Sequence, residues 1–146
     1  MRFGTLAMHV LTAAMLCATM ANAVAQDAAP SPALVLELNA AQPSDKGCRF
    51  TFVVTNNLGA ELSKAAIEVA LFNEAGVVDR LTVLDFKELP AGKTKVTRFD
   101  LPGTDCAKVS RVLINNATDC VGQGVEPSAC LRSLQTQSKS GIAFGI

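Results

Sequence analysis

Five cysteines, one histidine and a scatter of acids are the side chains with chemistry to offer in this 146-residue chain. Two of the cysteines enclose the stretch from Asp119 to Cys130, "DCVGQGVEPSAC", a short loop carrying two glycines, a proline and the acid Glu126. Such a loop can be a metal clasp, a redox centre or a staple. A redox site usually has Cys-x-x-Cys beside a helix start, where the helix dipole lowers a thiol pKa, and no cysteines here have that spacing. A four-cysteine zinc site pairs its ligands closely as two knuckles, whereas Cys48 and Cys106 each stand alone. The staple is the reading the spacing favours.

The remaining candidates for catalysis are few. The only histidine, His9, falls in an apolar amino-terminal run, and tryptophan and tyrosine are absent. Without histidine beyond that run, Ser/His and Cys/His nucleophilic pairs and mixed Cys/His zinc sites are excluded from the body of the chain. Carboxylates, lysines and hydroxyls are left. Asp79, Asp85 and Glu88 form the nearest acidic cluster, and paired acids can do glycosidase-type work, but strand alternation and surface exposure also explain them. No cofactor and no metal are expected.

Charge points to no partner class. Thirteen basic residues balance thirteen acidic ones, and nucleic-acid binding would want a basic patch. The densest basic spots, "KGCR" and "GKTKVTR", read as solvated strand faces, so no nucleic-acid partner is expected.

The elements that hold these residues begin with a leader. Met1 and Arg2 precede the mostly apolar run Phe3 to Met20, followed by small residues at Ala21, Ala23 and Ala25. This is the pattern of a cleavable secretory signal peptide over residues 1–25, cut after Ala23 or Ala25, which implies a periplasmic or secreted protein. The run is short, alanine-rich and broken by His9 and Thr12, so no membrane span is expected after the leader is removed. Leu16 stands where a lipidation signal before Cys17 wants a small residue. A Pro/Ala/Ser linker covers residues 26–32, and one domain covers 33–146.

Within that domain, short apolar stretches recur about every ten residues between turn residues, the pattern of an all-β sandwich or barrel. Seven strands are expected, at 33–40, 48–56, 65–73, 77–86, 93–101, 109–115 and 134–144. "NNLG", "NEAG", "LPAGK" and "LPGTD" supply the turns. Alternation places Cys48, Phe50, Phe52 and Val54 on the core face of the second strand, and Ile67, Val69 and Leu71 on that of the third. Phe72 then lies on an outer face or under a loop. Val96 and Phe99 have opposite parity, so either a bulge separates them or one is exposed. The apolar end "GIAFGI" is able to seal a sheet edge.

The run "IEVALFNEAGVVDRLTVLDFKELPAGKTKVTRFDLP" resembles the immunoglobulin-like FxLYD type of exported bacterial domain over about 35 residues, with Val69, Leu71, Phe72 and Asn73 where that motif has Phe, Leu, Tyr and Asp. Across nearly the whole domain, "LELNAAQPSDKGCRFTFVVTNNLGA", "RFDLPGTDC", "RVLINNATDC" and "PSACL" resemble a family of small exported alphaproteobacterial proteins with four cysteines. That family is often labelled as having Tat-pathway signals; this leader has no twin arginine, so the general secretory route fits it better. The resemblance implies an immunoglobulin-like antiparallel β-sandwich and supplies no catalytic residues.

Four cysteines in an exported domain read as two disulfides with three possible connectivities. In an immunoglobulin-like strand order, Cys48 and Cys106 lie at one end of the sandwich, and Cys120 and Cys130 at the other, which selects Cys48–Cys106 and Cys120–Cys130. The stapled loop, with Val121, Gln123, Val125 and Glu126, and the "NNLGAELS" turn, with Asn56 and Asn57, then share an end. Loops on a rigid scaffold are common binding sites. The expectation is a non-catalytic exported accessory or binding module whose partner is an unknown envelope protein or component. The alternatives are a purely structural, disulfide-stabilised envelope protein and a small carboxylate-dependent hydrolase.

Overall fold

The computed structural model describes residues 31–146. The expected leader, and the expected linker up to residue 30, lie outside the described residues. The domain from Ala33 onward is an all-β sandwich with the strands β1 (Ala33–Ser44), β2 (Gly47–Asn57), β3 (Leu62–Asn73), β4 (Val78–Leu89), β5 (Thr94–Pro102), β6 (Val109–Val121), β7 (Leu134–Ser138) and β8 (Ala143–Gly145), plus a 3-10 turn at Cys106–Lys108 and one α-helical turn, α1 (Ala129–Arg132). One sheet has the order β5-β2-β1-β7 and the other β4-β3-β6-β8. No described helix is long and apolar enough to cross a membrane.

Period-two alternation builds both inner faces. Cys48, Phe50, Phe52 and Val54 are all buried, as are Ile67, Val69 and Leu71 on β3. The core centres on Phe52, whose ring lies 6.3 Å from Phe50, 5.8 Å from Phe86, 6.0 Å from Phe99 and 5.6 Å from Phe144. Phe86 and Phe144 come from the opposite sheet, so an edge-on contact with the first and a tilted contact with the second join the two layers. Phe72 does lie on an outer face, half-buried, with the Arg111 guanidinium 5.7 Å from its ring centre. β5 pairs with β2 without a register shift, so there is no bulge between Val96 and Phe99, and Val96 is the exposed one.

Three expectations need correction. The last strand is two strands: the chain bends over 139–142, leaves β1 and joins β6. Ser138 Oγ donates to the Ile142 carbonyl at 2.6 Å, and the Ile142 amide donates to Ser140 Oγ at 3.2 Å, which stabilises that bend. The sheets are also mixed rather than purely antiparallel, because β7 runs parallel to β1 and β8 parallel to β6. Parallel neighbours cannot be joined by a tight turn: β2 to β6 intervene between β1 and β7, and α1 and β7 between β6 and β8. Finally, β6 runs on to Val121, so Asn115 and Asn116 sit within a strand and do not end one. The apolar end does seal an edge, through β8 pairing with Arg111–Leu113 of β6.

The open side of the sandwich, where β4 and β5 are edge strands, is bridged by side chains. Arg80 Nη2 donates to the Pro102 carbonyl at 2.8 Å, and Lys95 Nζ donates to the carbonyls of Phe86 at 2.9 Å and Glu88 at 3.0 Å. Lys95 therefore departs from the solvated-face reading of "GKTKVTR". It shares the inward parity of Phe99 and Leu101.

Candidate functional site

The four cysteines form Cys48–Cys106 and Cys120–Cys130, with Cα separations of 5.0 and 5.9 Å. Disulfides of this kind persist in oxidising, extracytoplasmic compartments. Cys48 and Cys130 are completely buried. Among the described residues, no group of three or more His, Cys, Asp or Glu side chains is placed to hold a metal ion.

At the Cys48–Cys106 end, Gly47 (φ 144) lets β2 start hard against the turn after β5. A side chain there would run into the Leu101 carbonyl and the amides of Gly103 and Thr104. The Gly103 amide donates to the Lys46 carbonyl at 3.1 Å, which closes this end with main chain. Arg49 and Asp100 add a bidentate pair on the outer face at 2.9 and 3.1 Å. This pair holds the Asp100 carboxyl below its ordinary pKa and raises that of Arg49.

At the opposite end, the stapled loop does meet the β2–β3 turn. Gly122 packs so closely that a side chain would overlap the Glu61 carbonyl and Val125. Ser63 Oγ donates to the Val121 carbonyl at 3.2 Å. Three shallow depressions open here. One, of about 290 Å³, is bordered by Pro32, Leu58, Gly124, Val125 and Glu126; another, of about 640 Å³, by Ser31, Val35, Asn57, Gly59 and Gln135; and a third, of about 550 Å³, by Ala60, Glu61, Ser63, Gly122 and Gln123.

The sequence candidates divide by orientation. Val121, Gln123, Glu126 and Asn57 are exposed and available at the surface. Val125 is half-buried and packs against the core, so it anchors the loop. Asn56 must be withdrawn from the binding set because it is completely buried. Its Nδ2 donates to the carbonyls of Ala60 and Leu89, each at 2.8 Å, while its Oδ1 accepts from the Leu58 amide at 3.1 Å. Its own backbone joins β2 to the β4–β5 turn, through Lys93 and Gly92. With its side-chain donors and acceptor engaged by the protein, it has nothing left for a ligand. It is the hub that fixes three segments of this end relative to one another.

The acidic cluster is not brought together as a whole, because Asp79 stands far from the other two. Asp79, Asp85 and Glu88 are strung along β4. At about 3.3 Å per residue, Asp79 and Asp85 are about 20 Å apart, against the roughly 5 to 9.5 Å that carboxylate pairs in glycosidases use. Asp85 is also engaged: its Oδ1 accepts from the Lys87 amide at 2.9 Å and its Oδ2 pairs with Lys87 Nζ at 2.6 Å. Those contacts hold its pKa below the ordinary value.

Sequence reasoning also passed over Glu37, a nearly buried carboxylate on β1. Asn39 Nδ2 donates to it at 2.8 Å and Lys139 Nζ pairs with it at 3.0 Å, lowering its pKa. An acid at alternating parity among valines and leucines was the available signal. Compared with known proteins, the chain matches no family model, no curated protein and no solved structure.

Proposed function

We propose that this chain is a non-catalytic exported binding module of the periplasm or cell exterior, recognising an envelope protein or component through its stapled end. The observation that carries the reading is the combined fixation of that end. A disulfide, a glycine contact and the Asn56 hub hold the exposed residues Val121, Gln123, Glu126 and Asn57 on one rigid tip. Preorganised loops bind with less entropy lost on association. The distance of Asp79 from the other two acids and the engagement of Asp85 by Lys87 argue against a carboxylate hydrolase. Export by a cleaved leader over residues 1–25 and kinship with the exported four-cysteine family are parts of the same proposal, carried by the sequence patterns.

Photo-crosslinking from a probe at Gln123 or Glu126 in the native envelope is the test. A discrete adduct, lost when Asn57 and Glu126 are both replaced by alanine, is the expected result. A featureless smear from both probe positions would favour the purely structural envelope protein.

A further inference from the structure

Near the stapled end, the outer face of the β5-β2-β1-β7 sheet carries the row Thr94, Thr55, Val35, Gln135, one residue from each strand. The Thr55 and Thr94 hydroxyls share a hydrogen bond at 2.9 Å. Val35 and Gln135 border the depression of about 640 Å³, a volume within the roughly 300–1,000 Å³ of small-molecule sites. Ala33, which is buried, and Val35, which is half-buried, give it an apolar part. Around this stand the exposed carboxamides of Asn57 and Gln135 and the main chain of Gly59 and Gly92, where a Cβ atom would meet nothing within 4 Å. No residue bordering the depression is charged. The two neighbouring depressions are bordered by Glu61, and by Glu126 and Arg132, and one at the Cys48–Cys106 end by Asp79, Asp105 and Lys108.

We infer that this depression takes a neutral saccharide unit, held by Asn57 and Gln135 and resting on Val35; such a unit is the ligand class of the recognition reading proposed above, on which the assignment rests. A carboxamide both donates and accepts, as a sugar hydroxyl does, and the apolar part suits the C–H face of a sugar ring. A charged ligand would give up water here with no counter-charge in return. The border is fixed in advance. The Gly92 amide donates to the Asn56 carbonyl at 2.7 Å, the Asn56 amide donates to the Lys93 carbonyl at 3.1 Å, and Asn56 Nδ2 holds the Ala60 carbonyl beside Gly59 at 2.8 Å. Asn56 is thus spent on the frame, and the exposed Asn57 beside it is left for the ligand. With no tryptophan or tyrosine to stack on, a single short saccharide binds weakly, with a Kd on the order of 1 mM.

The test is an NMR titration of the protein with two neutral trimers, maltotriose and the trimer of N-acetylglucosamine, and with trigalacturonate as the charged counterpart. At least one neutral trimer should give saturable shifts centred on the amides of Val35, Asn57, Gly59 and Gly92 and on the Gln135 side-chain amide. Asn57→Ala/Gln135→Ala, at two exposed positions, should weaken that binding about tenfold, with the rest of its spectrum reporting that it is folded. If the double variant does not fold, Gln135→Ala alone is read against the same outcomes. Signals that stay still with both neutral trimers at tens of millimolar, shifts scattered away from the depression, trigalacturonate binding as tightly, or a variant that binds like wild type would each overturn the inference. Silence toward saccharides beside a discrete adduct from Gln123 or Glu126 would remove the saccharide and leave recognition standing; silence in both experiments would remove both.

Discussion

The two ends of the sandwich are closed by different means. At one end the Cys48–Cys106 bond spans 58 residues and ties the start of β2 to the connection that leads into β6. At the other the Cys120–Cys130 bond spans 10 residues and tethers a single connection, while the neighbouring turns are held by hydrogen bonds from Asn56. A cross-link over a long loop restricts the whole unfolded chain, whereas one over a short loop restricts mainly its own segment. The first end is therefore a lock on the fold. The second is a lock on a surface, which is the property a recognition site needs.

Removing each bond separately is the most forceful way to break this comparison. On chain-entropy grounds, replacing Cys48 and Cys106 by alanine should cost about 4 kcal/mol and replacing Cys120 and Cys130 about 3 kcal/mol. The distribution matters more than the difference in magnitude. By hydrogen exchange, losing the first bond should lower protection throughout β2, β5 and β6, whereas losing the second should raise exchange chiefly over 122–133. Equal, global loosening in both variants would make the distinction between the ends untenable. A smaller effect is expected at Asn56. Asn56→Ala leaves the buried Leu89 carbonyl, the part-buried Ala60 carbonyl and the Leu58 amide without their side-chain partner, an expected cost of about 2–3 kcal/mol in urea unfolding. Asn56→Asp should be at least as damaging, since it turns an acceptor toward two carbonyls. If Asn56→Ala stays within about 0.5 kcal/mol of wild type, the range of ordinary surface substitutions, the hub contributes nothing.

What was legible in the sequence was what period-two alternation and strand order control. The core face of β2 could be read because Cys48, Phe50, Phe52 and Val54 alternate with Arg49, Thr51 and Thr55, Val53 being the one apolar residue out of phase. The disulfide pairing followed once that strand was placed in a sandwich. Asn56 was not legible as a hub, because its partners are main-chain carbonyls that every residue type carries, one of them 33 residues away. Its position before Asn57 and Gly59 looked like turn chemistry alone. The break between β7 and β8 was hidden for a related reason: "SKSG" continues the polar run Gln135–Gln137 without a distinct boundary, and the departure from one sheet to the other depends on which strand offers an open edge. Lys95 carried a usable signal in its parity with Phe99 and Leu101, but the carbonyls it reaches lie on either side of Lys87, whose positive φ of 62 its residue type does not announce.

Acid sharpens the comparison by the smallest margin, because the ion pairs of Asp100 and Asp85 are open to solvent and screened, and Glu37, though nearly buried, pairs with an exposed lysine. Asp100 beside the Cys48 end, Asp85 near the stapled end, and Glu37 between them all have their pKa lowered in the folded protein. A depressed folded-state pKa means that the unfolded chain takes up protons first as pH falls, so the contribution is present above the unfolded value, about 4 for these groups, and is lost as pH drops through the folded value. The thermal midpoint should accordingly be flat from pH 7 to about 5 with respect to these groups, and should fall below about pH 4. Carboxyl titration by NMR assigns that fall to its source. Glu37 is the pair to watch, since Lys139 sits where the chain leaves β1 for β6 and its amide also donates to the Leu38 carbonyl at 2.9 Å. Protonating Glu37 releases the ammonium but not the amide, so exchange should quicken over 139–142 before either disulfide-closed end responds. If the stapled end loosens first on acidification, its rigidity depends on surface charge, and the disulfide and Asn56 are not what fix it.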